Sequence, residues 1–222
     1  MKKITLIFTV HREQGACTSN ILVGILEKIN PEVVFEEIHP DRFDSYYKDK
    51  AIRTLETEAI LTYIKRHTIR QVPVDNFDLS KIKEYHKKIS DTLNQIDECS
   101  DEICRYLELQ TMKVHNFGFS FLNSLEYTNI ANEIDRLREE IVIKTNDEMI
   151  KKNYSLWLGL LKSRECNMLN NINDYCNKNE FNKGLFIVGS GHRNALIKEI
   201  ENNRSLKNMN IYWNYIEYNG LF

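Results

Sequence analysis

Short apolar, β-rich runs alternate along this chain with helical patterns, and no other feature constrains the fold as much. Ile4 to Val10 reads as a fully buried first strand, because it is apolar without the alternation of a half-exposed one. Pro31 leads into Glu32-Val33-Val34-Phe35-Glu36, a second run. Arg70 to Val74 is a weaker third, in which Pro73 marks a strand end or a sheet edge. Gly184 to Gly189 is a strong fourth, and Ile211 to Tyr218, rich in Tyr, Trp and Ile, is a fifth. Between them lie helices. Thr18 or Ser19 caps one whose apolar side carries Ile21, Leu22, Ile25, Leu26 and Ile29. Thr54 caps another through Ala59, Ile60 and Ile64, with Lys65-Arg66-His67 suited to its negative end. A third runs from Asn194 to Asn202. The expectation is an α/β fold: a central, mostly parallel sheet flanked by helices on both faces.

Residues from about 78 to about 178 break this rhythm, and we read them as a long helical insertion within a single domain spanning 1–222. Ile82, Ile89, Ile96 and Ile103 recur every seven residues, with Leu93 and Leu107 at the second seam position, which predicts one long amphipathic helix. Ile130, Ile134, Leu137 and Ile141 supply an antiparallel partner, and Asn116 to Phe121 forms an aromatic turn between the two. Such an insertion packs against the domain, covers a site as a lid, or serves as an arm for a homodimer.

Composition excludes several classes of function. The 222 residues suit one full domain at roughly 150 residues per domain. Lys and Arg number 30 and Asp and Glu 32, so the near-neutral chain lacks the basic surface that nucleic acids require. No run approaches the roughly 18 apolar residues of a membrane span. The first residues imitate a signal peptide, but His11-Arg12-Glu13-Gln14 interrupts the apolar stretch. Five cysteines without a CxxC pair do not form a disulfide framework, which points to reduced thiols and a cytoplasmic protein.

The chemistry lies just beyond the strands. His11 follows the first, with Glu13 two residues on. Glu36 and Glu37 end the second, with His39 close behind. Asp75 follows the third, and Gly189-Ser190-Gly191-His192 ends the fourth. In a parallel sheet these ends share one edge, where ligands of open α/β sheets bind. Imidazoles and carboxylates together make a divalent metal site, or a His–carboxylate pair activates water without metal. Gly189 and Gly191 lie one residue short of a dinucleotide fingerprint. They seat a phosphate at a helix start, or let the chain turn sharply and aim His192 into the site. Arg164 and Met168 lie one helical turn apart; Met168 belongs to an apolar face, and Arg164 can hold an anion at the rim.

These residues, in this order, resemble the superfamily of TraB-like, Tiki-like, ChaN-like and erythromycin-esterase-like proteins. Its members carry a GxxH motif near each end of the domain, a Glu after the second strand and an Arg-x-x-x-Met helix. Here the second GxxH is Gly189-Ser190-Gly191-His192, and the helix motif is Arg164 to Met168 with Glu165 where Asp or Asn is usual. The first motif departs from the pattern: Phe8-Thr9-Val10-His11 has Phe in place of Gly. The resemblance implies an α/β fold with a helical insertion, and it implies three activities. Tiki-like members are metal-dependent proteases, erythromycin-esterase-like members are hydrolases that use a histidine to activate water, and ChaN-like members bind haem iron.

The leading expectation is a metal-dependent hydrolase acting on a small molecule or peptide. His11, Glu36 and His192 would hold manganese, cobalt or zinc. Glu13 or Glu37 would serve as general base or support, Asp75 would orient a ligand, and Arg164 would anchor substrate. The alternatives are a metal-free hydrolase with His11 as base, and a non-enzymatic protein that binds haem, an ion or a small molecule, or that acts through the helical arm.

Overall fold

A computed structural model describes residues 1–77, 79–202 and 211–215, the side chains of 79–84 excepted. Five strands, β1 (Lys2–Thr9), β2 (Val33–Glu36), β3 (Arg70–Pro73), β4 (Lys183–Gly189) and β5 (Ile211–Asn214), form one sheet in the order β3-β2-β4-β1-β5. Every pairing is parallel. The two unbroken apolar runs, β1 and β4, lie side by side inside the sheet. The Pro-containing β3 is an edge, as Pro73 requires, because proline cannot donate to a further ladder. The fifth strand is seen over Ile211–Asn214, and its expected continuation from Ile216 to Tyr218 lies outside the described residues.

Strand pleating divides the core in two. Ile7, Val34, Leu185 and Ile187 face helices α1 (Ser19–Ile29) and α3 (Leu55–Tyr63). Ile4, Leu6, Phe8, Val33, Phe35, Phe186 and Val188 face the opposite side, where α7 (Glu148–Lys178) brings Met168, Leu169 and Ile172 and α8 (Arg193–Asn202) brings Leu196 and Ile200. Thr18 caps α1, and Thr54 closes a reciprocal capping box on α3 with Thr57. A short helix, α2 (Phe43–Tyr47), sits between β2 and α3.

Four helices fill the long stretch between β3 and β4: α4 (Leu79–Glu98), α5 (Asp101–Leu122), α6 (Leu125–Lys144) and α7. Two expectations fail in this stretch. The seven-residue seam does not run along one helix, because Ser100 takes an extended conformation and its hydroxyl accepts from the Ile103 amide, starting a new helix. The aromatic segment Asn116–Phe121 is not the turn between helices. It belongs to α5, which is broken at Gly118, and the chain reverses at Asn123 and Ser124. Gly118 stands at φ +54°, and a Cβ there would lie 2.6 Å from the Ala16 carbonyl oxygen, so the position requires glycine on both counts. The Ala16 amide donates to the His115 carbonyl at 2.8 Å, so this break docks α5 on the β1–α1 loop.

Asn123 anchors the insertion to the sheet. β5 pairs with β1 only as far as Thr5, so among the described residues no strand lies beside the Phe8 backbone on that side. The Asn123 side chain takes the place of one: its Oδ1 accepts from the Phe8 amide at 2.9 Å and its Nδ2 donates to the Phe8 carbonyl at 3.1 Å. Farther out, Arg138 on α6 makes two bonds of 2.7 Å to Asp97 on α4. No described helix is long and apolar enough to cross a membrane.

Candidate active site

Thr9, Glu36, Pro73 and Gly189 end their strands along one edge of the sheet. A cavity of about 400 Å³ opens there, lined by His11, Glu36, Glu37, Glu56, Asp75, Arg164 and Gly189 among others. Of the expected residues, His11, Glu36, Glu37, Asp75, Arg164 and Gly189 line this cavity and His192 reaches it through Glu37, whereas Glu13 lies outside.

Glu37 is the hub. Its Oε1 accepts from Arg164 Nη2 at 2.6 Å and lies 3.3 Å from His192 Nε2, and its Oε2 accepts from the Gly189 amide at 2.7 Å. Burial opposes its charge, but His192 and Arg164 outweigh that and hold it at about 2. Arg164 also binds Asp75, through Nη2 at 2.5 Å and Nε at 3.2 Å. Burial raises the Asp75 carboxyl, and Arg164 opposes the rise.

His192 stands behind Glu37. Its Nδ1 is 3.0 Å from Glu165 Oε1, so each ring nitrogen faces a carboxylate. Burial lowers its affinity for a proton, yet the two carboxylates prevail and lift it to about 9. At neutral pH it is an imidazolium with both N–H groups engaged.

His11 stands in front, its side chain 58% exposed at the cavity mouth. Its Nδ1 is 3.1 Å from Glu56 Oε1, and this bond is the main cause of a raised pKa. The Leu55 amide, at the start of α3, donates to the His11 carbonyl at 3.0 Å, so one helix terminus holds both the histidine's backbone and its carboxylate partner. With Nδ1 turned toward Glu56, Nε2 faces the cavity. A Cβ on Gly189 would lie 3.3 Å from that Nε2 and 3.1 Å from Glu37 Oε2. Gly189 has an ordinary φ of −58°, so its lack of a side chain serves space rather than turning. Gly191 carries neither role: a Cβ there would meet nothing within 4 Å, and it lines a different groove, beside Glu165.

Glu36 and Glu13 sit elsewhere than the sequence reading expected. Glu36 shares the Val34 face of the pleat, toward α3, away from Arg164 and His192. Its Oε2 accepts from the Tyr47 hydroxyl and its Oε1 from Gln71 Nε2 at 3.2 Å. Burial raises it to about 7. Glu13 lies outside the cavity lining, and its carboxylate accepts from the Ser19 amide and hydroxyl at 2.8 and 2.6 Å. The sequence reading gave no role to Glu56, Tyr46 or Tyr47, and treated Glu165 only as a motif variant. Glu165 follows Arg164 directly, which was the available signal. Glu56 and the tyrosines carry no motif.

The expected metal ligands do not fit an ion in this arrangement. Among the described residues, no three His, Cys, Asp or Glu side chains form a ligand set. Both Glu36 oxygens are engaged by Tyr47 and Gln71, both His192 nitrogens are committed to carboxylates, and the Arg164 cation occupies the Glu37 carboxylate. The groups left free for chemistry are an oriented imidazole, whose unbound nitrogen looks into a cavity, and an anchored carboxylate beside it. No family model, curated protein or solved structure matches this chain.

Proposed function

We propose that the protein is a hydrolase of small molecules in which His11 activates water without a metal. The observation that carries this reading is the His11–Glu56 pair, with Nε2 left facing the cavity over Gly189. A carboxylate on one ring nitrogen fixes the tautomer in which the other is a base. In the proposed reaction His11 Nε2 takes a proton from water, and the water oxygen bonds to the carbonyl carbon of an ester or amide. The same nitrogen then returns the proton to the departing oxygen or nitrogen as the old bond breaks.

Tyr46 is the donor for the developing oxyanion. It lines the cavity with His11, Glu37 and Asp75. Burial raises its pKa, so the phenol keeps its proton. Glu37, Arg164, Asp75 and His192 form the supporting network and hold the Gly189 edge in place.

The test is hydrolysis of a panel of para-nitrophenyl esters and anilides by the untagged protein, with and without chelator, beside His11→Ala. Activity that survives chelation and falls about 10²-fold or more in the variant is expected, the usual contribution of a general base. Activity abolished by chelator and restored by manganese, cobalt or zinc would replace this reading with the metal-dependent one. An unimpaired His11→Ala protein would remove the histidine from the mechanism.

A further inference from the structure

The charged groups that line the cavity are not all paired with one another. Each carboxylate that faces it has a partner: Glu37 and Asp75 share Arg164, Glu56 has His11 and the Thr9 hydroxyl, and Glu36 has Tyr47 and Gln71. Four arginines also line it, and they divide into two kinds. Arg164 is bound by two carboxylates, and Arg53 is paired with Glu58 at 3.3 Å. Arg12 and Arg42 make no side-chain hydrogen bond or ion pair with any described residue.

Arg42 is the more telling of the two. It is half-buried, in a short turn (Pro40–Arg42) just after β2. A guanidinium stays charged at any pH a protein tolerates, and taking it partly out of water without a partner is costly. Arg42 and Tyr46 both line the cavity, and the positive charge of Arg42 acts on the Tyr46 phenol. Arg12 adjoins His11 and lines the same cavity. The cavity that His11 faces is therefore lined by two further cations, the exposed Arg12 and the half-buried Arg42, neither paired with a described carboxylate. The volume of about 400 Å³ admits a small molecule rather than a polymer.

We infer that the substrate is anionic, with its scissile carbonyl over His11 and a carboxylate or phosphate elsewhere in the molecule resting on Arg42 and Arg12. This rests on the hydrolase reading for the position of the bond, but the anion site itself can be tested without turnover. Guanidinium planes pair with either group through two parallel hydrogen bonds, so the shared chemistry is a planar or tetrahedral oxyanion.

Glutarate, glycerol phosphate and neutral glutaramide, titrated calorimetrically into the wild-type protein, test the binding. Arg42→Gln, Arg12→Gln and the remote Lys144→Gln, which carries the same change in net charge, are compared, with folding checked by circular dichroism. At least one anion should bind, more tightly than glutaramide. Each arginine variant should weaken it about tenfold or more, the usual scale of a charged hydrogen bond, while Lys144→Gln should match the wild type. Which of the two anions binds assigns the group as carboxylate or phosphate. In parallel, kcat/KM for mono-para-nitrophenyl glutarate over that for para-nitrophenyl acetate should exceed ten in the wild type and fall toward one in Arg42→Gln. Arg42-dependent anion binding with no ester turnover would uphold the anion site and reject the hydrolase. Turnover of both esters at equal efficiency, with neither anion bound, would do the reverse. Binding that all three variants leave unchanged would also overturn the inference.

Discussion

Replacing Asn123 by alanine should destabilise the protein far more than its place at the end of a helix suggests. The Asn123 amide is 1% exposed and bonds both polar groups of the Phe8 backbone, where no strand of the described residues pairs with it. Truncation leaves a buried N–H and a buried C=O without partners, each costing about 1–3 kcal/mol. The third bond, from Asn123 Nδ2 to the Phe119 carbonyl at 2.9 Å, matters less, because that carbonyl still accepts from the Asn123 backbone amide. The small void left by the side chain adds to the loss, so the sum is about 3–5 kcal/mol. In a chain of this size that corresponds to a fall in Tm of roughly 6–20 °C. Urea unfolding of the two proteins, with equal slopes required, measures it, and hydrogen exchange of the Phe8 amide localises it. A loss below about 1 kcal/mol with Phe8 protection intact would mean that water replaces the amide at no cost, and the strand-substitute argument would fail.

The same geometry makes three further predictions. Activity should be bell-shaped in pH: it rises above pH 6.5, as the raised His11 loses its proton and becomes a base, and falls near pH 9, as His192 loses its charge; a profile flat from pH 6 to 10 would contradict both assignments. Stability should track His192 and Glu37 with opposite signs, read from urea midpoints across pH. The His192 contribution is complete below 6.5 and lost as pH rises through about 9, whereas that of Glu37 is complete above 4.5 and lost as pH falls toward 2. Finally, Gly118→Ala should cost about 1–3 kcal/mol or more, since φ is +54° and the new Cβ meets backbone. Gly159→Ala, exposed in mid-α7 with nothing within 4 Å, should instead gain about 0.5–1 kcal/mol; equal effects at the two sites would refute the distinction.

The amino-acid sequence alone determined the sheet and its covering helices, because each rests on a local signal. Apolar runs without alternation mark buried strands, Thr18 and Thr54 cap helices α1 and α3, and Pro73 belongs at an edge. The strand ends then point to His11, Asp75 and His192, since a parallel sheet collects its carboxyl ends on one side. Tertiary structure decided the rest. Adjacent residues at a strand end leave on different sides, so whether Glu36 or Glu37 meets Arg164 depends on which face α7 covers, some 127 positions away in sequence. Glu56 becomes the partner of His11 only because the start of α3 docks under the β1 loop. A helix seam continues or stops according to one serine's conformation, and Asn123 becomes part of a sheet it does not belong to in sequence. Periodicity records which residues are buried. Which buried or half-buried charges face one another is settled by packing between distant segments, and the chemistry of this cavity depends on those encounters.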